Sequence, residues 1–492
     1  MKKRTLAALL ALMLTLAVLP TSSFALTVPR ASKPLVVKDG PVEINAANFP
    51  DEIFRGFVSE EFDIDSDGIL SEAEIAEVDT IDVTSMGIAD LSGVEYFTAL
   101  QYLFCDDNAI TELDISNNSE LVGFRCIDNQ LTELDISNNL ALEWVLGSGN
   151  AITELDISNN PALKQVEFDD NQLTELDTSN NPVIEQVTCS GNAIIELDIS
   201  NNPALWRLEC DGNQLTELDT SNNPVLEKLW CRDNQLTELD IRNNPALYRF
   251  ECDGNQITNL DIGNNPELTY FSCVGNLLTE LNISNAPAIK WLYCNDNQLT
   301  ELDISNNPAI KWLYCNDNLL TELDVSNNPA LRELNCSGNK LTSIDVHHCD
   351  YIESLICENN VYAAAFGEDG TFDLSTLPGS FDISKASNWV GGSVQGNILT
   401  IDEGVAEVTY IYACGMNKLA TFTIRAEESI PGVPGDANDD GTVDTSDALL
   451  VMRHALSLIT LSNEAAALCD MNGDGEITIL DATLIMRAAL GF

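Results

Sequence analysis

Leu205-x-x-Leu208-x-Cys210-x-x-Asn213-x-Leu215-Thr216-x-Leu218-Asp219, followed by Asn222-Asn223-Pro224, is one copy of the pattern that decides the fold of this chain. Counted in steps of 21 residues from Asn108, asparagine recurs thirteen times and ends at Asn360. A fixed period of this length predicts a solenoid, in which each repeat buries its apolar face only against its neighbours.

Each repeat is predicted to contain one short strand. Leu208 and Cys210 should face inward, because side chains alternate along a strand, and Arg207 and Glu209 should then face outward. Stacked copies form a parallel sheet. Asn213 follows the strand, where its amide can bond to backbone groups of its own and the next repeat, so we interpret the asparagine column as structural. The second half repeats the alternation and ends at Asn-Asn-Pro, a turn signal.

The pattern Leu-x-x-Leu-x-Cys-x-x-Asn-x-Leu resembles the leucine-rich repeat, and its 21-residue, cysteine-bearing form looks like the internalin branch of that family. The resemblance covers about half of the chain and rests on thirteen copies. It implies a leucine-rich repeat solenoid of the α/β class over residues 79–360, built mostly from short parallel strands.

The cysteines follow the same period. A slot that also accepts phenylalanine and glycine, at Phe168 and Gly147, is a packing slot, and parallel Cβ vectors on neighbouring strands bridge poorly. The sequence therefore predicts a ladder of buried, reduced thiols rather than disulfides. The ladder positions are Cys105, Cys126, Cys189, Cys210, Cys231, Cys252, Cys273, Cys294, Cys315, Cys336 and Cys357.

The N-terminal segment and the net charge both indicate an extracellular protein. Lys2-Lys3-Arg4, an apolar run to Leu19 and Ser23-Phe24-Ala25 predict a secretory signal peptide over residues 1–25, followed by an irregular linker over 26–42. The net charge of −55 argues against nucleic acid as a partner. We expect a secreted, extracellular protein that is held at a scaffold or cell surface without membrane insertion.

Much of the acidic charge lies in two columns of the second half-repeat, represented by Glu112 and Asp114 and repeated every 21 residues. Both positions flank the inward leucine, so both should face solvent. Two interpretations stay open here: a solvated surface that opposes aggregation, or loose binding of divalent cations.

Residues 43–78 are predicted to form a helical cap around a calcium loop. Asp63-x-Asp65-x-Asp67-Gly68-x-x-Ser71-x-x-Glu74 matches the EF-hand loop at every ligand position. Proteins resembling internalins carry a helical cap at this place, so the segment could also serve only to cover the first repeat. The expected ligands of one Ca²⁺ are Asp63, Asp65, Asp67, Ile69 through its carbonyl, and Glu74.

Aromatic and basic residues concentrate at the outward strand positions of the solenoid, where they predict a binding surface on the concave face. The basic residues there include Arg125, Arg207 and Lys228. Residues 287–318 contain two nearly identical copies, so a recent duplication could account for part of the pattern. The residues expected to contact a protein or polysaccharide are Trp230, Trp291, Tyr293, Trp312 and Tyr314.

After Asn360 the period stops. Residues 361–427 alternate as short strands with glycine-rich turns and predict a small all-β domain, in which Trp389 belongs to the core. Residues 428–434, with two prolines, are a predicted linker.

Residues 435–492 contain two twelve-residue calcium loops that each close with aspartate and lead into a helix. Two such loops in tandem resemble the type I dockerin, an all-α module, which implies two Ca²⁺ ions and binding to a cohesin module of a scaffoldin in a cellulosome-like assembly. The expected metal ligands are Asp436, Asn438, Asp440, Thr442, Asp447, Asp470, Asn472, Asp474, Glu476 and Asp481. By the same resemblance, the cohesin-facing residues are Thr445, Ser446, Ile479, Leu480, Arg453 and Arg487.

The sequence favours a non-catalytic binding protein that recognises a protein or polysaccharide and docks on a scaffold through its dockerin. A host-cell adhesin is one alternative. A polysaccharide-degrading enzyme is another, because dockerins often accompany such enzymes. Glu167, Glu209 and Glu251 are outward acids, but no region is left for a catalytic domain.

Overall fold

The computed structural model describes residues 40–367, 369–427, 433–438, 441–456 and 458–490. The chain divides into two units, Met1–Leu268 and Thr269–Phe492. The predicted signal peptide and most of the two predicted linkers lie outside the described residues. Within the described ranges, no helix combines the length and the apolar character needed to cross a membrane.

The first unit begins with two helices, α1 (Glu52–Glu61) and α2 (Glu72–Glu77), and a short antiparallel pair, β1 (Val42–Glu43) and β2 (Ile69–Leu70). Asp51 caps α1 by accepting hydrogen bonds from the backbone of Ile53 and Phe54. Its second oxygen accepts from Ala89 at 3.0 Å, so the same carboxylate joins the helix to the first repeat.

The repeats of the first unit form a parallel sheet whose strands follow in chain order. In most strands the central residue is buried and faces the core. The strands are β3 (Thr80–Asp82), β4 (Tyr102–Phe104), β5 (Gly123–Arg125), β6 (Trp144–Leu146), β7 (Gln165–Glu167), β9 (Gln186–Thr188), β11 (Arg207–Glu209), β12 (Lys228–Trp230) and β14 (Arg249–Glu251).

The second half-repeat is less regular than the sequence predicted. Among the described residues of this unit it forms strands in only four repeats, as the parallel pairs β8 (Leu176–Asp177) with β10 (Leu197–Asp198) and β13 (Glu238–Asp240) with β15 (Asn259–Asp261). In repeats with and without such a strand, the aspartate after the leucine accepts a hydrogen bond from the backbone N–H two residues later, which turns the chain.

The asparagine column holds adjacent repeats together as expected. The Asn129 amide donates to the carbonyl of Cys105 in the preceding repeat at 2.9 Å and to that of Cys126 in its own repeat at 3.2 Å. Its oxygen accepts from the N–H of Ile110 at 3.0 Å. Both ends of the side chain are therefore used for backbone groups.

A second asparagine column runs through the second half-repeat, where the sequence pattern predicted only a turn. Asn139 is fully buried and donates to the carbonyls of Ile115 at 3.0 Å and Asn118 at 2.9 Å. The same two bonds recur at Asn160 and Asn181. Most turns of the solenoid thus carry two asparagine clamps instead of one, whereas the equivalent positions of two later repeats hold Ala286 and Cys349.

The second unit continues the 21-residue spacing with parallel strands in chain order: β16 (Tyr270–Ser272), β17 (Trp291–Tyr293), β18 (Trp312–Tyr314), β19 (Glu333–Asn335) and β20 (Ser354–Ile356). Seven further strands follow: β21 (Asn360–Ala364), β22 (Thr371–Asp373), β23 (Ala386–Val390), β24 (Gly392–Gln395), β25 (Ile398–Ile401), β26 (Glu407–Gly415) and β27 (Lys418–Ala426). They form two sheets, ordered β21-β27-β26-β23 and β22-β25-β24.

This β module packs on the last repeats. The buried Tyr410 hydroxyl donates to the carbonyl of Thr342, and the N–H of Val346 donates to the carbonyl of Cys414 at 2.8 Å. Trp389, which was predicted to belong to the core, is half-buried and stacks on the buried Tyr410 with ring centroids 4.5 Å apart. The module therefore covers apolar groups that the last turn would otherwise leave exposed.

Three helices complete the second unit: α3 (Thr445–Ala455), α4 (Asn463–Cys469) and α5 (Ile479–Ala489). Helices α3 and α5 each follow a predicted calcium loop, and α4 leads into the second of these loops. Their small core contains Ala448, Val451, Cys469, Ala482 and Ile485.

Candidate functional site

The strand face of the second unit carries an aromatic stack, which we define as Tyr270, Trp291, Tyr293, Trp312 and Tyr314. The indoles of Trp291 and Trp312 lie 5.0 Å apart with an angle of 3° between their planes. Tyr293 and Tyr314 also lie 5.0 Å apart, at 23°. The cause is the register of the sheet, which pairs Trp291 with Trp312 and Tyr293 with Tyr314 on neighbouring strands.

The geometry of the aromatic stack decides what it offers a ligand. All five rings are half-buried, and they lie against one another face to face or tilted. One face of Trp291 and one face of Trp312 therefore cover each other, as do one face each of Tyr293 and Tyr314. The Tyr314 hydroxyl donates to Glu333, and this hydrogen bond raises the pKa of Tyr314 to about 12. Four of these five residues were predicted from the sequence, and Tyr270 is a further aromatic residue at an outward position.

The strand face of the first unit carries a different cluster around a lysine. The Lys228 ammonium lies 5.5 Å from the ring centroid of Trp206, 5.9 Å from that of Trp230 and 5.7 Å from that of Tyr248. We call Trp206, Trp230 and Tyr248 the aromatic collar. Arg249 also lies over Trp230, at 5.2 Å. Cation–π attraction therefore holds this part of the face together.

A buried carboxylate fixes the collar from one side. The side chain of Glu251 is only 4% exposed, and it accepts hydrogen bonds from Trp230 Nε1 at 2.8 Å and Arg249 Nε at 2.7 Å. Arg232 approaches its other oxygen at 3.2 Å and is itself bound to Asp211. Because every partner of Glu251 is ordered by another contact, Trp230 has a defined orientation on the face.

A third aromatic cluster lies at the start of the strand face, and sequence reasoning missed half of it. Phe104 and Trp144 have ring planes within 9° of each other at 6.0 Å, Tyr102 joins them, and Arg125 lies 4.8 Å over Phe104. Gly123 lies between the two aromatic strands, and a Cβ there would come within 1.9 Å of Trp144. Counting back two full repeats from Trp144 would have found Tyr102.

The acidic columns have a structural function at their aspartate positions. Asp156, for example, accepts a hydrogen bond from the N–H of Ser158 at 2.9 Å, and the same turn recurs along the solenoid. Within the described residues, the acidic group close enough to surround one metal ion is instead Asp63, Asp65 and Asp67, whose ligand atoms lie within 4.8 Å of one another.

The three predicted calcium loops share one hydrogen-bonding scheme. In each loop the glycine at the sixth position donates to the first aspartate: Gly68 to Asp63 at 3.0 Å, Gly441 to Asp436 at 2.7 Å, and Gly475 to Asp470 at 2.8 Å. These glycines have left-handed φ angles of 82°, 85° and 81°. A side chain would strain that turn.

The closing carboxylate is also held in the same way in all three loops. Asp481 accepts from the N–H of Met471 at 3.0 Å and of Thr478 at 2.9 Å. Asp447 does so from Ala437 and Asp444, and Glu74 from Ile64 and Ser71. Burial raises the pKa of Asp481, but these hydrogen bonds outweigh it and leave the pKa below its usual value. The ionised form needed by a metal is thus favoured.

The remaining predicted ligands lie in the same loops. Asn472 and Asp474 belong to the loop that begins at Asp470, and Thr442, Glu476 and Ile69 are the seventh residues of their loops. Asp65 and Asp67 are exposed beside the buried Asp63. Asn438 belongs to the described residues of the first loop, whereas Asp440 lies outside them. Oxygen donors in this number and spacing suit Ca²⁺.

All six predicted cohesin-facing residues are exposed on α3 and α5: Thr445, Ser446, Arg453, Ile479, Leu480 and Arg487. Ile479 and Leu480 are 52% and 55% exposed, which is unusual for large apolar residues. Leu456 and Leu490 at the helix ends are 53% and 58% exposed and were not identified from the sequence. They occupy equivalent positions in the two halves of the repeated segment.

All fourteen cysteines are buried free thiols, in agreement with the predicted ladder. Cys105 and Cys210 donate to the carbonyls of Arg125 and Trp230 in the next repeat, each at 3.4 Å. Burial raises the pKa of these two thiols well above the usual range. They are protonated packing residues and not nucleophiles.

Comparison with known proteins agrees with this organisation. Residues 434–490 match the type I dockerin domain family. The chain is similar to the solved functional domain of internalin J from Listeria monocytogenes, which includes a cysteine ladder, at 27% identity and a TM-score of 0.56, covering 79% of this chain and 99% of that one. An internalin structure from the same organism shares the fold at 21% identity and a TM-score of 0.51, covering 65% and 92% of the two chains.

The sequence match to full-length internalin J of Listeria monocytogenes is more local. It is 37% identical over 71 residues, which is 14% of this chain and 8% of that protein. The chain thus matches less than a tenth of that relative's length. The predictions of an internalin-like solenoid with a cysteine ladder and of a type I dockerin are confirmed.

Proposed function

We propose that this chain, an internalin-like leucine-rich repeat solenoid joined to a type I dockerin, is a secreted, non-catalytic adaptor. The dockerin binds a cohesin on a scaffold or cell surface, and the strand face of the solenoid recognises a protein ligand. The observation that carries the proposal is the aromatic stack beside an otherwise acidic, polar surface. Exposed aromatic edges grouped with charged residues are typical of protein interfaces.

A protein ligand suits the stack better than a polysaccharide. Sugar rings bind aromatic residues by lying flat on an open ring face. One face of Trp291 and one face of Trp312 cover each other at 5.0 Å, and Arg249 and Lys228 lie over the Trp230 ring. What these rings offer is edges, which side chains of a protein can contact.

An enzymatic function is disfavoured by the state of the outward acids. Glu209 pairs with Arg207 at 2.7 Å, Glu251 is buried among two arginines and Trp230, and Glu167 accepts from Gln165 at 2.6 Å. Glycoside hydrolysis requires two carboxyl groups that are open to the substrate on either side of a bond. We therefore assign these acids to the structure of the face.

Calcium is the cofactor of the proposed docking. Type I dockerins are calcium-binding modules, and the two loops here would each hold one ion through the oxygen atoms described above. The N-terminal loop has the same Gly68–Asp63 and Ile64–Glu74 hydrogen bonds. On that likeness we assign it a third ion.

Binding of the full chain to type I cohesins tests the docking half of the proposal. A panel of recombinant cohesins, titrated with Ca²⁺ and again with EGTA, should contain at least one that binds only with calcium. An Asp470→Ala variant should weaken that complex, because it removes the first ligand of the second loop. No binding to any cohesin, or binding unaffected by EGTA, would contradict this assignment.

The ligand half is tested on arrays of extracellular proteins and of glycans probed with the same full chain. We expect protein hits that weaken at least about tenfold in the Trp291→Ala/Trp312→Ala variant. Tyr351→Ala is the matched control, since Tyr351 is an aromatic residue that is 63% exposed outside the strands. Glycan hits that depend on Trp291 and Trp312 would overturn the choice of a protein ligand, and a host-cell receptor among the protein hits would identify an adhesin.

A further inference from the structure

Three basic residues stand side by side on the strand face of the first unit. Arg207, Lys228 and Arg249 occupy equivalent positions on β11, β12 and β14, where they are in register. Arg207 binds Glu209 at 2.7 Å, and Arg249 binds Glu251 at 2.7 Å. In both strands the carboxylate is two residues after the arginine, on the same face.

Lys228 differs from the two arginines because the residue two positions after it is Trp230 and not a glutamate. The collar of Trp206, Trp230 and Tyr248 lies within 6 Å of its ammonium group. In the described part of the chain this ammonium makes no ion pair, although Glu227 precedes it in the sequence and is exposed. Each flanking arginine is paired with the glutamate two residues after it, and Glu251 is also approached by Arg232. Lys228 is thus the uncompensated cation of the column.

We propose that Lys228 and its collar form the subsite that receives a carboxylate of the protein ligand, from an Asp or Glu side chain or a chain terminus. The inference rests on the proposed recognition of a protein by the strand face. A carboxylate would supply the partner that Glu209 and Glu251 supply to the neighbouring arginines. The surrounding rings exclude water from one side of the pair and so strengthen it.

The charge and geometry of the site distinguish a carboxylate from other ligands. A ligand cation would be repelled by the ammonium that already fills the collar. A phosphate prefers the two parallel donors of an arginine, and here the Nε atoms of Arg207 and Arg249 already donate to Glu209 and Glu251. An acidic sugar would need an open ring face beside the lysine. Lys228 itself lies over Trp206, and both Lys228 and Arg249 lie over Trp230.

A peptide library displayed on phage tests the inference without knowledge of the natural ligand. The full chain is immobilised as wild type, Lys228→Met and Lys228→Glu, and the bound peptides are sequenced. Wild type should enrich peptides with Asp or Glu at one fixed position. Lys228→Met should lose this preference, and Lys228→Glu should replace it by Lys or Arg. The best wild-type peptide should bind Lys228→Met at least about tenfold more weakly.

Lys340→Met is the matched control, because Lys340 is an exposed lysine outside the strands. It should enrich the same peptides as wild type. Peptides that depend on Trp230 but show no acidic preference, or keep it in Lys228→Met, would overturn the inference and leave the proposed function intact. If no enriched peptide depends on Trp230, Trp291 or Trp312, the proposed protein-binding face itself fails. Binding of polygalacturonate, an acidic polysaccharide, is measured in parallel. If this polymer binds in a manner that depends on Lys228 and no acidic peptides are enriched, the carboxylate does not come from a protein and the inference is overturned.

Discussion

Thr178 donates its hydroxyl to the Oδ1 atom of Asn202, 2.6 Å away and 24 residues further along the chain. Thr220 and Asn244 repeat the contact at 2.7 Å. In other repeats the threonine is replaced by isoleucine or valine, and the buried Oδ1 of the asparagine then accepts no hydrogen bond from the described protein groups. These asparagines are Asn118, Asn139, Asn160, Asn181, Asn223, Asn265, Asn307 and Asn328. The second asparagine column is thus fully bonded only where threonine precedes it.

The first prediction follows from this difference. Ile136 stands 24 residues before Asn160, in the place that Thr178 holds relative to Asn202, and its carbonyl accepts from Asn160 at 3.1 Å. An Ile136→Thr variant should bond its hydroxyl to Asn160 Oδ1. It should be more stable than Ile136→Val by about 1 kcal/mol, the net value of one buried hydrogen bond.

Calorimetric unfolding of the full chain measures this, with Ile136→Val as the control of nearly equal shape. In an ordinary apolar core threonine would be the less stable of the two, because it buries a hydroxyl without a partner. A lower melting temperature for Ile136→Thr than for Ile136→Val would contradict the proposed role of Thr178.

The sequence predicted the period, the inward leucines and the thiol ladder, because these depend on side chains that alternate along a strand. It did not predict the second asparagine column. Asn222-Asn223-Pro224 has the composition of a turn, and only the stacking of repeats shows that Asn223 is buried while Asn222 is exposed. The ion pairs of the outward acids were not predicted either, because the local sequence does not show that Glu251 is shared by Trp230, Arg232 and Arg249. Side-chain contacts between neighbouring repeats were therefore found only from the structure.

The second prediction concerns alkaline pH. Burial raises the pKa of the Cys349 thiol from 9.0 to about 11 and that of Cys414 to about 12. Unfolded thiols ionise near pH 9, whereas these remain protonated in the folded protein. The stability they contribute is therefore complete below about pH 9 and is lost as the pH rises toward 11–12.

Melting temperatures measured under reducing conditions from pH 8 to 11 should accordingly fall above pH 9. A Cys349→Ala/Cys414→Ala variant should start from lower stability but decline less steeply, since it lacks two of the groups that titrate. An equally steep decline in the variant would assign the effect to other residues.

The third prediction concerns calcium removal. In EGTA the dockerin should unfold, because Asp470 and Asp474 repel each other without a cation and the core of α3 and α5 is small. The solenoid should stay folded, since its asparagine and leucine columns need no metal. Calorimetry should show loss of one transition and retention of the other. A single transition that shifts as a whole in EGTA would argue against independent modules.

The last prediction is that the dockerin binds its cohesin in one preferred orientation. Its halves are related in sequence, so either could in principle face the partner. The structure separates them chemically. Ser446 donates its hydroxyl to Asp444 within the loop, and Thr445 is exposed. Ile479 and Leu480 instead present apolar surface, 52% and 55% exposed.

A cohesin surface that buries two branched alkyl groups away from water should not also suit two hydroxyl side chains. A hydroxyl that is buried there without a hydrogen bond costs about 1–3 kcal/mol. Buried apolar groups dominate interfaces, so we expect Ile479 and Leu480 to be the anchor. Titration of Thr445→Ala/Ser446→Ala and of Ile479→Ala/Leu480→Ala against the cognate cohesin decides this. The second variant should lose at least about tenfold more affinity than the first, a difference of about 1.4 kcal/mol. If each variant binds almost normally and only the variant that combines all four substitutions fails to bind, the two halves can replace one another and the prediction of a single orientation is wrong.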